Sequence, residues 1–569
     1  MIKFIKKYWP EILVFGFVIS ILMIDLNPDY TFMNKGADSI GYAYSAKYLY
    51  PSFHTSPPLY LLISHFFLML PFGTEAWRMG LVSVLSTIGA SVFIYLTIRK
   101  ILADKTGKRW YALLGVLVYG TSAIVISQST IIQTYAVTCM FSVGAFYFAT
   151  CKKWKLMGLF LGLGLIVHML AAFVTLIMLL AYKEFRTNWK ALAVMCSLLV
   201  FYVYIPITNR PPYMWIPDPS TVNASLPPFL VSAYSFVADT ASTIGFLIGK
   251  LSMYDTPKRI LDIIGIVGVS IGVVTSIHIV YWFWKTKWYR NVLFWLIFTP
   301  TFIFLIELDP NTFDYTMLSI PFLAIATGLG MNKLIENKGL RYKTFAYVTT
   351  VILIGFGIFN CNYFDIGRTI DKNMSASNLY YNEFAKIPDG SIFMPNYCSD
   401  WEAIFKYNKD YNKNIIPVSI DVLPSKQYLK VLQAEHGVKL IEGTSNNLSL
   451  RARETAASII ELNNNVWTSI STDPSTFGTK VIPANHDTTL IDIYDVERMR
   501  ELEANPTVKW IPYNPYDWFT TSICVSEWNY VLMSNHNISR LILYCTLAFA
   551  LIYIFRVGLR NKKKTQHVK

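Results

Sequence analysis

Long apolar runs separated by short basic clusters dominate the first 360 residues of the chain. A helix needs about 17–25 mostly apolar residues to cross a bilayer. Apolar runs near or at this length fall at 12–24, 76–98, 110–127, 131–150, 191–207, 260–284, 291–308, 315–331, 345–360 and 538–556. The pattern predicts an α-helical polytopic membrane protein with about 11–13 membrane helices.

The basic clusters give these helices an orientation, because Lys and Arg concentrate in cytoplasmic loops. Lys3, Lys6 and Lys7 precede the first run and predict a cytoplasmic N-terminus. No small-residue cleavage site follows that run, so we interpret it as a retained anchor. The C-terminal tail, with Arg560 and Lys562, is predicted to be cytoplasmic as well.

The apolar run 156–182 is basic at both ends. A single crossing would place one cluster outside, whereas two short helices that meet near His168 keep both inside. Each helix would have ~13 residues and ~20 Å of length, too short for a full crossing. We therefore predict a helical hairpin with His168 near its outer tip; one ordinary helix that breaks the charge rule is the alternative.

Residues 361–537 lack long apolar runs and mix charged residues with Asn, Ser and Pro. Counting crossings places this segment outside, before the last span at 538–556. Turn and strand patterns at 387–393 and 489–494, with a helical pattern at 428–435, predict an extracytoplasmic α/β domain. The predicted domains are thus 1–360 (transmembrane), 361–537 (extracytoplasmic) and 538–569 (final helix and basic tail).

Composition supports this class. Of the 569 residues, 53% are hydrophobic and only 15% are charged, against ~25% charged in soluble domains. The net charge of +14 falls mostly between apolar runs, so we expect membrane lipids and no nucleic acid as partners. Seven Cys and eight His are scattered and form no recognisable metal motif.

The first outside loop concentrates polar and ionisable residues beside the membrane, where they are costly and therefore functional candidates. Asp38 precedes a predicted helix at 39–49, and capping that helix is an alternative role for its carboxylate. Pro57 and Pro58 suit the first turn of a second helix at 59–70. This helix is apolar but short, so we expect it along the membrane surface.

Three motifs carry a family resemblance: Asp38-Ser39-x-x-Tyr42, Ser56-Pro-Pro-Leu-Tyr60 and Leu70-Pro-Phe-Gly-Thr-Glu-Ala-Trp-Arg78. Their order resembles the start of GT-C membrane glycosyltransferases, in particular protein O-mannosyltransferases, lipid A aminoarabinose transferases and their prokaryotic relatives. Ser39 departs from the mannosyltransferases, which have a second acid there, and leaves an inactive relative as an alternative. The Trp-Trp-Asp signature of oligosaccharyltransferases is absent from the sequence.

The resemblance implies transfer of a sugar from a polyprenyl-phosphate donor to an extracytoplasmic acceptor. A carboxylate near the surface accepts the proton of the attacking hydroxyl, and we assign this role to Asp38. The phosphate leaving group needs nearby donors; Arg78, His168 and Arg210 are the candidates. An interfacial Arg78, a buried hydrogen-bonded His168 and a structural loop at Arg210 are the alternatives.

Four further residues are candidates for substrate binding: Tyr42, His54, Tyr60 and Asp314. Cationic side chains are sufficient for a donor with one phosphate, so we expect no metal, no cofactor and an inverting displacement. Two other classes remain open. A transporter or flippase would have polar residues midway along broken spans, and a membrane-anchored binding protein would need no acidic first loop.

Overall fold

A computed structural model describes part of the chain. The described residues are 2–27, 37–49, 57–203 (without 104, 106 and 169), 292–297, 317–336, 344, 348 and 381–484, the last range with gaps at 395–397, 419–422, 424–425, 445–447 and 472–478. Within them the chain is mostly helical and contains several apolar helices. The expected runs at 260–284, 345–360 and 538–556 fall almost wholly outside the described residues.

The helices of the N-terminal part follow one another closely. They are α1 (Ile2–Ile24), α2 (Ala37–Tyr48), α3 (Pro58–Leu68), α4 (Glu75–Ile101), α5 (Lys108–Gly120), α6 (Ala123–Ser129), α7 (Tyr135–Thr150), α8 (Trp154–Leu165), α9 (Ala171–Ala181), α10 (Lys183–Arg186) and α11 (Trp189–Ser197), with a 3-10 turn at Leu198–Val203. Helix α12 (Ile320–Glu336) follows later in the chain. The two predicted first-loop helices are confirmed within one or two residues.

Three helices of the described part are long and apolar enough to cross a membrane, at Lys7–Ile24, Glu75–Ile101 and Met317–Glu336. The two ends of α4 show how the local sequence begins and ends a candidate span. Thr74 caps it by accepting the backbone N–H of Trp77, which satisfies one of the free donors of the first turn. Arg99 and Lys100 end it, where cations meet the negative end of the helix dipole.

One end of the bundle collects the basic clusters, and we call it the basic end. Arg109, at the start of α5, binds both carboxylate oxygens of Glu11 in α1. Lys105 pairs with Glu336 at the end of α12 over 2.9 Å. The rings of Trp9 and Trp110 lie 6.1 Å apart and are both exposed. Charges and exposed tryptophans at one level are typical of a membrane interface.

The predicted hairpin of short helices is confirmed. Helix α8 has 12 residues and α9 has 11. The rings of Trp154 and Tyr182, at the ends of the hairpin away from its turn, lie 5.8 Å apart. The two basic flanks therefore meet at one level, and His168 lies in the turn between the helices. On its other side, α8 packs against α11 through Gly158 and Gly162, where the helix backbones come close.

The expected span at 110–127 is wrong as a single helix. Helix α5 ends at Gly120 and a short α6 follows after Thr121 and Ser122. Ser, Thr and Gln side chains between 121 and 134 are buried. Asn27 donates its N–H to the carbonyl of Thr130, which places this segment at the end of α1 opposite the basic end. Irregular backbone at membrane depth is tolerated where protein buries it.

The described residues between 381 and 484 include three helices and a sheet. The helices are α13 (Cys398–Tyr411), α14 (Lys426–His436) and α15 (Leu448–Leu462), and the strands are β1 (Ile392–Met394), β2 (Ile416–Pro417), β3 (Val466–Ser471) and β4 (Thr479–Pro483). The strand order is β2-β1-β3-β4, with parallel pairs except for β3 and β4. The predicted strand near 393 and helix at 428–435 are confirmed, whereas 489–494 is outside the described residues.

A shared apolar core joins this C-terminal unit to the first loop. Buried residues of α2, α3 and α4 pack in one cluster with residues of α13 and of the sheet. The first group includes Tyr42, Tyr60 and Met79, and the second group includes Phe393 and Ile404. The C-terminal unit therefore rests directly on the helices that carry the candidate site.

Candidate active site

Helix α2 begins at Ala37, so Asp38 lies in its first turn rather than before it. A carboxylate in the first turn is favourable because the helix dipole is positive there. The next residue, Ser39, is buried and its Oγ donates to the carbonyl of Ile132 over 3.1 Å. The position where the mannosyltransferases have a second acid is thus used here as a tether between α2 and the segment before α7.

The hairpin tip reaches the same segment from another side. The ring of His168 lies 5.4 Å from the ring of Tyr135, the first residue of α7. The backbone N–H of Leu170 donates to His168 Nδ1 over 3.1 Å. A nitrogen that accepts a hydrogen bond carries no proton, so the imidazole is neutral and its remaining hydrogen is on Nε2.

The start of α2 and the hairpin tip therefore flank residues 132–135. Ile132 contacts Ser39, Tyr135 contacts His168, and three residues span at most ~11 Å between α-carbons. A further bond closes the arrangement, since the N–H of Leu59 in α3 donates to the carbonyl of Ile166. This short segment therefore brings the start of α2, which carries Asp38, close to the hairpin tip, which carries His168.

Arg78 has a different environment from the one expected. Its guanidinium Nη1 donates to the carbonyls of Leu68 and Leu70, both over 2.6 Å, and its Nε donates to the carbonyl of Thr74 over 3.3 Å. Carbonyls at the end of a helix lack intrahelical partners. Arg78 thus closes the C-terminus of α3 and fixes its turn into α4.

Tyr42 and Tyr60 form part of the core beneath α2. Their rings lie 5.5 Å apart in an edge-to-face arrangement, and Tyr60 has no exposed surface. Burial raises the pKa of the Tyr60 hydroxyl, which lies beside Ser64 and Ser83. In this conformation both tyrosines support the helix that carries Asp38, and contact of Tyr60 with a substrate requires the core to open.

The remaining candidates are His54, Arg210 and Asp314, and all three lie outside the described residues, as does the side chain of Asp38. In the described part of the chain, no three His, Cys, Asp or Glu residues group together as a metal site would require. The assigned roles of these residues and the expected metal independence remain predictions.

A charged cluster that the sequence reasoning missed links the first loop to the C-terminal unit. The ammonium group of Lys47 at the end of α2 lies 2.7 Å from carboxylate oxygens of both Glu75 and Asp410. Lys406 of α13 lies 3.0 Å from Glu75 and 2.5 Å from Asp410, and the hydroxyl of Tyr48 donates to Asp410 over 2.6 Å. We call these five residues the junction cluster.

Part of the chain is similar to a known family. Residues 55–207, about a quarter of the chain, match the family model described as dolichyl-phosphate-mannose-protein mannosyltransferase. The match confirms the resemblance predicted from the first loop. It includes Arg78 and His168 and begins after Asp38. No curated protein matches the chain.

Solved structures with weak similarity include two of ArnT from Cupriavidus metallidurans. The form bound to undecaprenyl phosphate is 12% identical, with a TM-score of 0.43 over 77% of this chain and 96% of that one. The apo form is 11% identical, with a TM-score of 0.42 over 75% and 91%. The Archaeoglobus fulgidus oligosaccharyltransferase tethered to an acceptor peptide is 10% identical, with a TM-score of 0.43 over 84% and 74%.

Proposed function

We propose that this protein is a GT-C membrane glycosyltransferase that transfers a sugar from a polyprenyl-phosphate donor to an extracytoplasmic acceptor. The observation that carries the proposal is the shared contact of Ser39 and His168 with residues 132–135. It brings the start of the Asp38 helix to the hairpin tip on the side away from the basic end. The family match over residues 55–207 supports the reaction class.

The chemistry is a single displacement. The acceptor hydroxyl oxygen attacks the anomeric carbon, the bond from that carbon to the phosphate oxygen breaks, and the phosphate leaves on its lipid. The hydroxyl proton passes to the carboxylate of Asp38 as general base. A single attack opposite to the leaving group inverts the anomeric centre.

The leaving phosphate requires hydrogen-bond donors that are in place before reaction. We assign His168, whose Nδ1 accepts from Leu170 at the hairpin tip, as a donor to the phosphate through Nε2, and Arg210 as the source of a positive charge from its loop. Arg78 contributes its remaining guanidinium donors while it holds the end of α3. Tyr42, His54 and Asp314 are proposed to hold substrate hydroxyl groups, without metal or cofactor. Tyr60 is proposed to do so only when the core beneath α2 opens.

In this proposal residues 1–360 form the transmembrane catalytic part and 361–537 an extracytoplasmic α/β domain, with both termini in the cytoplasm. The basic end, with Arg109 and Lys105, then faces the cytoplasm. The start of α2 and the junction cluster face outward. Docking of the C-terminal unit on α2 and α4 supports its placement on the outer side.

The test separates binding from transfer. Purified protein in phosphatidylcholine vesicles is titrated with undecaprenyl phosphate, with phosphatidic acid as the control anionic lipid. We expect selective binding of undecaprenyl phosphate that weakens about 10-fold or more in His168→Ala, which loses a donor to a charged group, and that is unchanged in Asp38→Asn. Equal affinity for the two lipids contradicts the proposed donor.

Transfer is measured in cells that lack the chromosomal copy, by mass spectrometry of envelope glycans. We expect the intact chain to restore a missing glycan and Asp38→Asn to reduce its formation by about 10²–10⁴-fold, the usual effect of a general base. Asp29→Asn, a second acid of the predicted loop, is the matched control. Full activity of Asp38→Asn would contradict the assignment of the base.

A transporter or a binding protein gives a different pattern. A flippase would move fluorescent undecaprenyl phosphate across the vesicle membrane without any glycan product. A binding protein would retain the lipid, and Asp38→Asn would have no effect in cells.

A further inference from the structure

We propose that Lys406 and Asp410 of the C-terminal unit are positioning residues that orient the Asp38 end of helix α2 through the junction cluster. The inference rests on the proposed function, because the orientation of Asp38 affects transfer only if Asp38 is the general base. Neither residue reaches the substrate in this proposal. Both act through α2, which they hold at the end opposite to Asp38.

The contacts of the junction cluster join three elements that are distant in sequence. Lys47 and Tyr48 come from α2, Glu75 from the first turn of α4, and Lys406 and Asp410 from α13. Each ammonium group touches both carboxylates, so the two positive and two negative charges alternate around a ring. Such a network fixes the positions of α2, α4 and α13 relative to one another, which a single ion pair would not do.

Burial makes this network sensitive to the loss of one member. The side chain of Lys406 is only 3% exposed and that of Asp410 is 13% exposed. Removing one ammonium group leaves the two carboxylates to share the other, and such a loss of counter-charge is unfavourable where the charges are buried. The ring of Tyr381, with Lys406 5.8 Å from its centre, further encloses the ammonium group.

The ionisation of the cluster is consistent with this role. Burial alone would raise the pKa of Asp410, but hydrogen bonds from Lys406, Lys47 and Tyr48 outweigh it and hold the pKa below its usual value. Burial lowers and the two carboxylates raise the pKa of Lys47, with a net increase. Both groups are therefore charged throughout the neutral range.

Helix α2 transmits the position of its far end to Asp38. It has 12 residues, and helices of this length are marginal without tertiary contacts. Asp38 and Lys47 are nine residues apart, or ~13.5 Å along the axis. A tilt of ~5° about the junction cluster moves Asp38 by ~1 Å, and a misplacement of ~1 Å costs ~100-fold in rate.

Other bonds of α2 include two that join it to the membrane part of the chain. Ser39 binds the carbonyl of Ile132, and His65 Nδ1 donates to the carbonyl of Ala46 over 2.8 Å. Both partners belong to the membrane part of the chain. The charged link to the C-terminal unit is made by Lys47 and Tyr48. The docking of that unit therefore contributes to the angle of α2, together with the apolar core that α2 shares with α13.

The central experiment compares Lys406→Met with Lys409→Met in the full chain. Both replace a lysine of α13 by an apolar residue of similar length, but Lys409 is exposed and lies outside the junction cluster. Amide hydrogen exchange of residues 37–48 is measured in vesicles, together with undecaprenyl phosphate binding and glycan formation in cells. Lys406→Arg tests rescue by a retained charge.

We expect Lys406→Met to speed the exchange of α2 amides about 10-fold or more and to lower glycan formation about 10–100-fold. Lipid affinity and the exchange of α4 should change less than 2-fold. Lys409→Met should resemble the parent chain, and Lys406→Arg should recover most of the activity. Tyr48→Phe, which removes one hydrogen bond, should give a smaller change in the same direction. It replaces Lys406→Met as the test variant if Lys406→Met does not fold.

Unchanged exchange of α2 in Lys406→Met would overturn the proposal, as would activity loss equal to that of Lys409→Met. Failure of the proposed function has a distinct signature. In that case α2 exchange still rises in Lys406→Met, while even the parent chain forms no glycan and binds undecaprenyl phosphate no better than phosphatidic acid.

Discussion

Close packing of α8 against α11 makes Gly162→Ala an informative perturbation. A β-carbon added at Gly162 would lie 2.8 Å from the carbonyl oxygen of Met195 and 2.8 Å from Leu198 Cδ1. Carbon–oxygen contacts between helices normally lie at ~3.3–3.6 Å. The backbones must therefore separate by ~0.5–0.8 Å, because a carbonyl in a helix cannot rotate away as a side chain does.

Overpacking of this kind costs about 1–3 kcal/mol. Replacing Gly by Ala in a helix also gains about 0.5–1 kcal/mol from backbone entropy. Gly16→Ala in α1 is the matched control, since a β-carbon there meets nothing within 4 Å. The entropy gain is common to both variants, so their difference isolates the overpacking cost.

The assay is the thermal unfolding midpoint of both variants in one detergent, together with hydrogen exchange of the hairpin. We expect Gly162→Ala to unfold below the parent chain and Gly16→Ala at or above it. Faster exchange should appear at residues 154–181 in Gly162→Ala alone. Equal midpoints for the two variants would refute the close approach of α8 and α11 and, with it, the hairpin geometry that places His168.

Three shorter predictions concern the first loop and the junction cluster. Arg78→Lys, which cannot hold two carbonyls in a fork, should speed hydrogen exchange at 69–72; loss of undecaprenyl phosphate binding without that change would contradict the role of Arg78 in closing α3. Ser39→Asp should lower the unfolding midpoint more than Ser39→Ala, because a carboxylate would face the carbonyl of Ile132; greater stability would contradict this contact. Because the pKa of Asp410 is lowered on folding, its stabilisation is full above its unfolded value of ~3.9 and is lost as the pH falls through the folded value. The protection of α2 amides, corrected for the pH dependence of intrinsic exchange, should therefore fall below about pH 4 in the parent chain and fall less in Asp410→Asn, where Glu75 is the carboxylate of the cluster that still titrates.

Local patterns made several helices of the described membrane part predictable. The basic flanks of 156–182 were sufficient for the hairpin, because both clusters must remain on one side of a bilayer. Pro57 and Pro58 marked the start of α3 for a similarly local reason. The break after Gly120 was missed because Thr121 and Ser122 interrupt the apolar run too briefly to change its average hydropathy.

The candidate site was less accessible to sequence reasoning. The environment of Arg78 depends on where the carbonyls of Leu68 and Leu70 point, which no spacing rule supplies. The neutral state of His168 depends on one backbone N–H two residues later. The junction cluster pairs residues 363 positions apart, and a single sequence contains no signal for such a pair.

The same separation has a consequence for biosynthesis. Lys47 emerges from the ribosome long before Asp410, and at about 5–20 residues per second the interval is about 20–70 s. During this time α2 lacks its charged contacts with Lys406 and Asp410. The first loop of each new molecule therefore passes through a state in which Lys47 and Glu75 can contact each other but lack Lys406 and Asp410, because α13 is not yet translated.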